Sequence, residues 1–140
     1  MKSKRMVKWI VLAVTAIAVG IGAFCLYQAQ FITLDMSFAT SVILKCENTE
    51  VILTSEEAEA LKDAFTGKMK KESLSGCGFG FHQIRFIGEE KEITVYPGMD
   101  HCDNTALSVN GEYDENGIFF SIGKEGNSLL WSIAQKYGLN

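Results

Sequence analysis

Apolar and polar positions change rhythm several times along the 140 residues, and each rhythm predicts a different element. Residues 9–27, WIVLAVTAIAVGIGAFCLY, hold 19 positions without a charge. A helix of that length rises about 28 Å at ~1.5 Å per residue, close to the hydrocarbon thickness of a bilayer. From residue 36 the rhythm becomes two: Met36, Phe38, Val42, Leu44 and Cys46 share one phase while Ser37, Ser41 and Lys45 fall in the other. That alternation predicts a half-buried strand over 36–46. ENTE, 47–50, reads as a turn into a short strand at 51–53.

The stretch TSEEAEALKDAFTG then shifts to helical spacing. Thr54 and Glu57 have capping-box spacing, and Ala58, Leu61 and Phe65 form one apolar stripe. Gly67 is the predicted stop, with a polar loop, KMKKESLSG, after it. GFGFHQIRFI (78–87) and EITVY (92–96), joined by GEEK, predict a hairpin. With the turn centred between Glu89 and Glu90, Ile84 faces Val95 and Phe86 faces Ile93, so all four share a face. A slip of one residue would separate them. TALSV (105–109) and IFFSI (118–122) read as further strands beside the turn signals Asn110-Gly111 and Asn116-Gly117. A final helix carries Leu129, Leu130, Ile133, Ala134 and Tyr137 and stops at Gly138. Strands and helices segregate, so the predicted class is α+β: an antiparallel sheet with two packed helices, preceded by one N-terminal transmembrane helix.

Charge sharpens the domain organisation. Lys2, Lys4, Arg5 and Lys8 precede the apolar run, and Trp9 and Tyr27 bracket it as interfacial aromatics do. The positive-inside bias then orients the chain with a cytoplasmic basic head at 1–8, a transmembrane signal anchor at 9–27, a juxtamembrane linker at 28–35 and an extracytoplasmic domain at 36–140. The competing reading is a cleaved signal peptide, whose apolar core is usually shorter, ~7–15 residues, and ends at a small-x-small site. The cuts on offer here place Ile21 or Tyr27 where a small residue is needed. All 17 acidic residues lie beyond residue 30, against nine basic ones once the head's four are taken from 13, so the exported part carries about −8. Nucleic acid is a poor partner for such a surface, because phosphate contacts need clustered Lys or Arg. The membrane and an unidentified protein or cell-envelope component are the expected partners.

Candidate chemistry centres on YPGMDHCDN, 96–104. Cys25 sits in the apolar run, and Cys46 is in phase with the buried face of its strand, the setting of an inert thiol. Cys77 and Cys102 fall opposite each other if the hairpin register persists, where antiparallel strands bring cysteines within disulfide reach. Closing that loop of about 25 residues contributes ~3–4 kcal/mol in the chain-entropy model. A metal or ligand site would draw on His82, His101, Asp100 and Asp103, with Cys77 and Cys102 as further donors. The cysteine and histidine spacings match no common zinc pattern. On regular strands His82 and His101 would stand ~13 Å apart. Asp100 and Asp103 have the plainer role of turn formers.

Neighbours in sequence do not form a triad, so no catalytic residue is assigned. GCGFG lacks the Lys-Ser/Thr ending of a phosphate loop, and its glycines fit a bulge or the tight start of a strand. No cofactor is implied. Phe79 and Phe81 run out of phase with Ile84 and Phe86, which predicts either a bulge near His82 or an aromatic pair on the outer face.

The basic head, single apolar helix, CGFGF, strand hairpin, YPxxDxC and terminal KYG together resemble small, uncharacterised membrane-anchored exported proteins of Gram-positive bacteria. The resemblance implies the compartment and the bond between Cys77 and Cys102. It implies no catalytic residue. The expected function is a non-enzymatic, membrane-tethered extracytoplasmic binding or interaction domain stapled by a disulfide. The alternative is a metal-binding or enzymatic domain centred on His82, His101, Asp100 and Asp103.

Overall fold

The computed structural model describes residues 2–73, 78–80, 82–98, 102–107 and 117–139. They divide into two units, Met1–Phe31 and Ile32–Asn140. The first consists almost wholly of helix α1, Lys2–Gln28. Its segment Met6–Gln28 is long and apolar enough to cross a membrane, and none of that window is buried among the described residues.

The second unit is built on a sheet whose strands are β1 (Phe31–Leu34), β2 (Ser41–Cys46), β3 (Thr49–Ile52), β4 (Gly67–Glu72), β5 (His82–Ile87), β6 (Glu92–Pro97), β7 (Thr105–Leu107) and β8 (Ile118–Phe120). Helix α2 is Ser55–Ala64 and helix α3 is Gly123–Lys136. Among the described residues the sheet is eight-stranded in the order β1-β4-β8-β7-β6-β5-β2-β3, and its pairings from β4 to β3 are antiparallel.

The β5–β6 register is the predicted one: Ile84 faces Val95 and Phe86 faces Ile93. Continuing outward, Leu44 faces Ile84 and Val51 faces Leu44, so one apolar row runs across four strands. Phe65, Phe86, Phe120, Leu61 and Leu130 join Val42, Leu44, Ile84 and Val95 in the main apolar cluster, to which α2 and α3 contribute their buried faces. The Phe65 and Phe86 ring centroids are 5.4 Å apart, tilted at 56°. Sequence neighbours on a strand point to opposite faces. Beside Val95 and Phe120, therefore, Tyr96 and Phe119 project to the outer face. There Tyr96 faces Ala106 and Ala106 faces Phe119, and the three form a second, smaller cluster.

One end of each helix in the domain follows local rules. Thr54 caps α2, and the capping box with Glu57 is complete. α3 ends in a Schellman arrangement: the Leu139 amide donates to the Ala134 carbonyl at 2.9 Å and the Gly138 amide to that of Gln135 at 3.0 Å, with Gly138 at φ 68°. Leu139 is buried in the main cluster, which fixes where the chain goes after the stop.

The sequence pattern misplaces several boundaries. Of the strand expected over 36–46, only Ser41–Cys46 is strand. Before it, Asp35 Oδ1 accepts from the Ser37 amide at 2.9 Å and the Ala39 amide donates to the Met36 carbonyl at 3.0 Å, so the backbone turns where alternation alone predicts extension. Residues 31–34, expected to lie within a linker, form β1. The expected loop after Gly67 is instead β4, in which Lys71 faces Phe120 and Glu72 faces Phe119. Its one buried apolar residue, Met69, is too little for periodicity to register. α2 ends at Ala64, before Gly67, and α3 begins at Gly123, ahead of the apolar stripe. Phe81 and the turn signals Asn110-Gly111 and Asn116 lie outside the described residues.

Candidate functional site

The chain leaves β6 at Pro97 and returns at Thr105, which pair across the ladder, and the Gly98 amide donates to the Asn104 carbonyl at 3.0 Å. YPGMDHCDN is thus the connection between two antiparallel neighbours. Asn104 is buried, and its side-chain amide donates to the Ser73 carbonyl at 3.3 Å, tying the connection to the end of β4. Asp103 Oδ2 accepts from Ser121 Oγ at 2.6 Å, and Ser121 Oγ accepts from the Gly123 amide at 3.0 Å. One carboxylate thereby holds the turn by which β8 passes into α3. The turn it holds is that of β8 and α3, through a hydroxyl 18 residues away, and not its own corner through nearby backbone amides as the sequence suggests. The second oxygen of Asp103, Oδ1, is buried and takes no hydrogen bond among the described residues.

His82 opens β5 on the core face. Its ring stands edge-on to Trp131 of α3, with centroids 5.0 Å apart and planes at 88°, and Cys46 lies opposite it in the ladder. Only 3% of His82 is exposed, so its neighbourhood is core packing and not an open cleft. Cys46 is a free, buried thiol, and burial, with a smaller push from the Glu47 charge, raises its pKa. A raised pKa leaves little thiolate, so Cys46 matches the inert thiol expected of it. Among the described residues no three His, Cys, Asp or Glu side chains gather closely enough to hold a metal ion. Asp100, His101 and Cys77 lie outside the described residues. Cys25 and Cys46 are free thiols.

Gly80 enters β5 at φ 90°, a conformation suited to glycine, consistent with the tight strand start expected of GCGFG. Just before it Phe79 packs on the outer-face cluster, its ring centroid 5.2 Å from that of Phe119. The phase mismatch noted in the sequence therefore marks a change of face for Phe79.

The strongest charge arrangement is one that sequence spacing reveals only in part. Glu57 caps α2, but its carboxylate also accepts from Lys136 Nζ at 2.5 Å and from Tyr137 Oη at 2.7 Å, at the far end of α3. These two contacts, Lys136 foremost, and the Thr54 hydroxyl and amide pull the Glu57 pKa down to about 2. The start of α2 meets the end of α3, while Ala64 of α2 lines the same hollow as Ile122 and Gly126 at the start of α3, so the helices run antiparallel. Capping-box spacing exposes Glu57 in the sequence. Its partners 79 and 80 residues away leave no local signal.

Compared with protein-family models, curated proteins and solved structures, the chain has no match.

Proposed function

We propose that the chain is a single-span membrane protein of the cell membrane, held by an uncleaved signal anchor at 9–27. Its N-terminus lies in the cytoplasm. The domain at 36–140, with α2 and α3 packed on one face of the sheet, stands outside and acts by binding a protein or cell-envelope partner. The observation that carries the reading is the setting of α1. Val14, Ile17, Val19 and Leu26 are 60 to 72% exposed, and among the described residues none of the apolar window is buried. Roughly 20 uncovered apolar residues in a row favour a bilayer over water. Four basic residues on one flank favour the stated orientation. The described candidates for chemistry, His82 and Asp103, are engaged in packing and turn formation, which supports binding over catalysis.

A bond between Cys77 and Cys102 completes the proposal. It is supported by the free thiols of Cys25 and Cys46 and by the observed β5–β6 register, which if continued outward sets residue 77 opposite residue 102. Such a bond persists in an exported domain.

The test uses the full chain with a C-terminal epitope, expressed in cells. Alkaline carbonate should leave it in the membrane pellet, and protease added to intact cells should remove the epitope. Release by carbonate, or an epitope protected until the cells are broken, would overturn the anchor or its orientation respectively. Intact mass after alkylation without reductant should show two blocked thiols, and four would refute the disulfide.

A further inference from the structure

Between α2 and α3 the surface is hollowed on both sides of Ala60 and Leu129. One hollow, of about 310 Å3, lies toward the Glu57 and Lys136 contact. The other, of about 430 Å3, lies toward the opposite ends of the two helices. Both are lined by Ala60 and Leu129, so together they form one groove along the antiparallel pair. The small side chain of Ala60 and the half-buried Leu129 and buried Ile133 give it an apolar floor.

The charges on its rim that are left without an ion pair among the described residues have one sign. Glu57 is matched by Lys136 and Glu59 by Lys62. Glu56, Asp63 and Glu125 are exposed and take no ion pair among the described residues. Glu56 and Asp63 stand seven residues apart on α2, ~10.5 Å along its axis. A helix lying alongside, with Lys or Arg at i and i+7, repeats that spacing while its apolar stripe meets the floor.

We propose that this groove is the docking site for a cationic amphipathic helical segment of a partner protein, its apolar face on Ala60, Leu129 and Ile133 and its basic residues against Glu56, Asp63 and Glu125. The inference rests on the reading of the domain as a binding module and names the chemistry of what it binds. Complementary charge steers such a segment in and fixes its register, while the apolar floor supplies the desolvated centre.

The experiment places the full chain in nanodiscs of phosphatidylcholine, which carry no net charge. It measures fluorescence anisotropy of a labelled helical peptide with a leucine stripe flanked by lysines at i and i+7. Binding above that of empty nanodiscs is expected. It should weaken about tenfold in the Glu56→Gln, Asp63→Asn, Glu125→Gln triple variant, the sum of three exposed charge pairs. A matched peptide with glutamates for the lysines should bind no better than to empty discs. Equal affinity for the triple variant, equal binding of the glutamate peptide, or no binding above empty discs would each overturn the proposal. A zero-length carbodiimide cross-link, mapped by mass spectrometry on the unsubstituted chain, gives a readout independent of variant folding. Lysines joined to Glu56, Asp63 or Glu125 support the site, and cross-links confined to other carboxylates sink it. The nanodisc assay is indifferent to which side of a cell membrane the domain faces, so its failure and a failure of the topology test are separate results.

Discussion

The large apolar residues of α1 and those of the α+β domain are the same kinds of side chain in opposite settings. In α1, Trp9 and Leu26 are each 72% exposed, while in the domain Phe65, Phe86 and Phe120 are fully covered. The difference lies in how the residues are spaced. α3 carries its apolar residues on one stripe, and Leu130, Ile133 and Ala134 are buried there while Ser132, Gln135 and Lys136 face solvent. α1 is apolar on every side, so no single packing partner within a small domain could cover it. The contrast teaches that apolar content does not say what a helix is for. The angular distribution of that content does.

The sharpest way to break the comparison is to remove one covered ring. Phe86→Ala should cost about 3–5 kcal/mol of domain stability, because the site is ringed by strands and by Phe65 and cannot collapse. Chemical unfolding of the full chain checks this, and a loss under 1 kcal/mol would mean the ring does not anchor the core. A smaller effect, and of another kind, is expected at an exposed apolar position. Ile17→Arg puts a charge near the middle of α1, a change of roughly 3 kcal/mol in apparent insertion free energy. It should lower the carbonate-resistant fraction and leave the unfolding of the domain unchanged. Undiminished membrane retention would argue that α1 does not span.

The smallest effect concerns the join between the two helices of the domain. Glu57→Gln keeps the size of the side chain but removes the charge that faces Lys136, and should cost about 1 kcal/mol at neutral pH. With the Glu57 pKa held down near 2 against an ordinary value of 4.5, its contribution is full above about pH 4.5 and is lost as pH falls toward 2. The melting temperatures of the two forms should therefore differ at pH 7 and converge toward pH 2. A constant gap across that range would show that the charge is not what Glu57 supplies.

How much of this was legible beforehand follows from the range of each interaction. The α1 run, the Thr54 and Glu57 cap, the α3 stripe with its Gly138 stop, and the register that sets Ile84 against Val95 all depend on residues within about 20 positions of one another. Periodicity and capping rules reach that far. The candidate site was legible in residue type only. The sequence presents His82 and Asp103 as groups of equal promise. Tertiary packing sets His82 against Trp131 on the core face and spends the Asp103 carboxylate on Ser121.

By itself, then, the sequence determined an apolar helix too evenly greasy for a small core, an antiparallel α+β domain and the chemistry of its helix ends. Only the tertiary structure decided that KMKK belongs to β4, because a strand with one buried side chain, Met69, is recognised by the partner it pairs with and not by its own alternation. The turn at Asp35 is local, a hydrogen bond from the Ser37 amide to the Asp35 side chain that outweighs a strand-like pattern. The tertiary structure also brought Lys136 and Tyr137 to Glu57 and so laid α2 and α3 antiparallel. That contact joins residues some 80 positions apart, and no local pattern encodes a meeting over that distance.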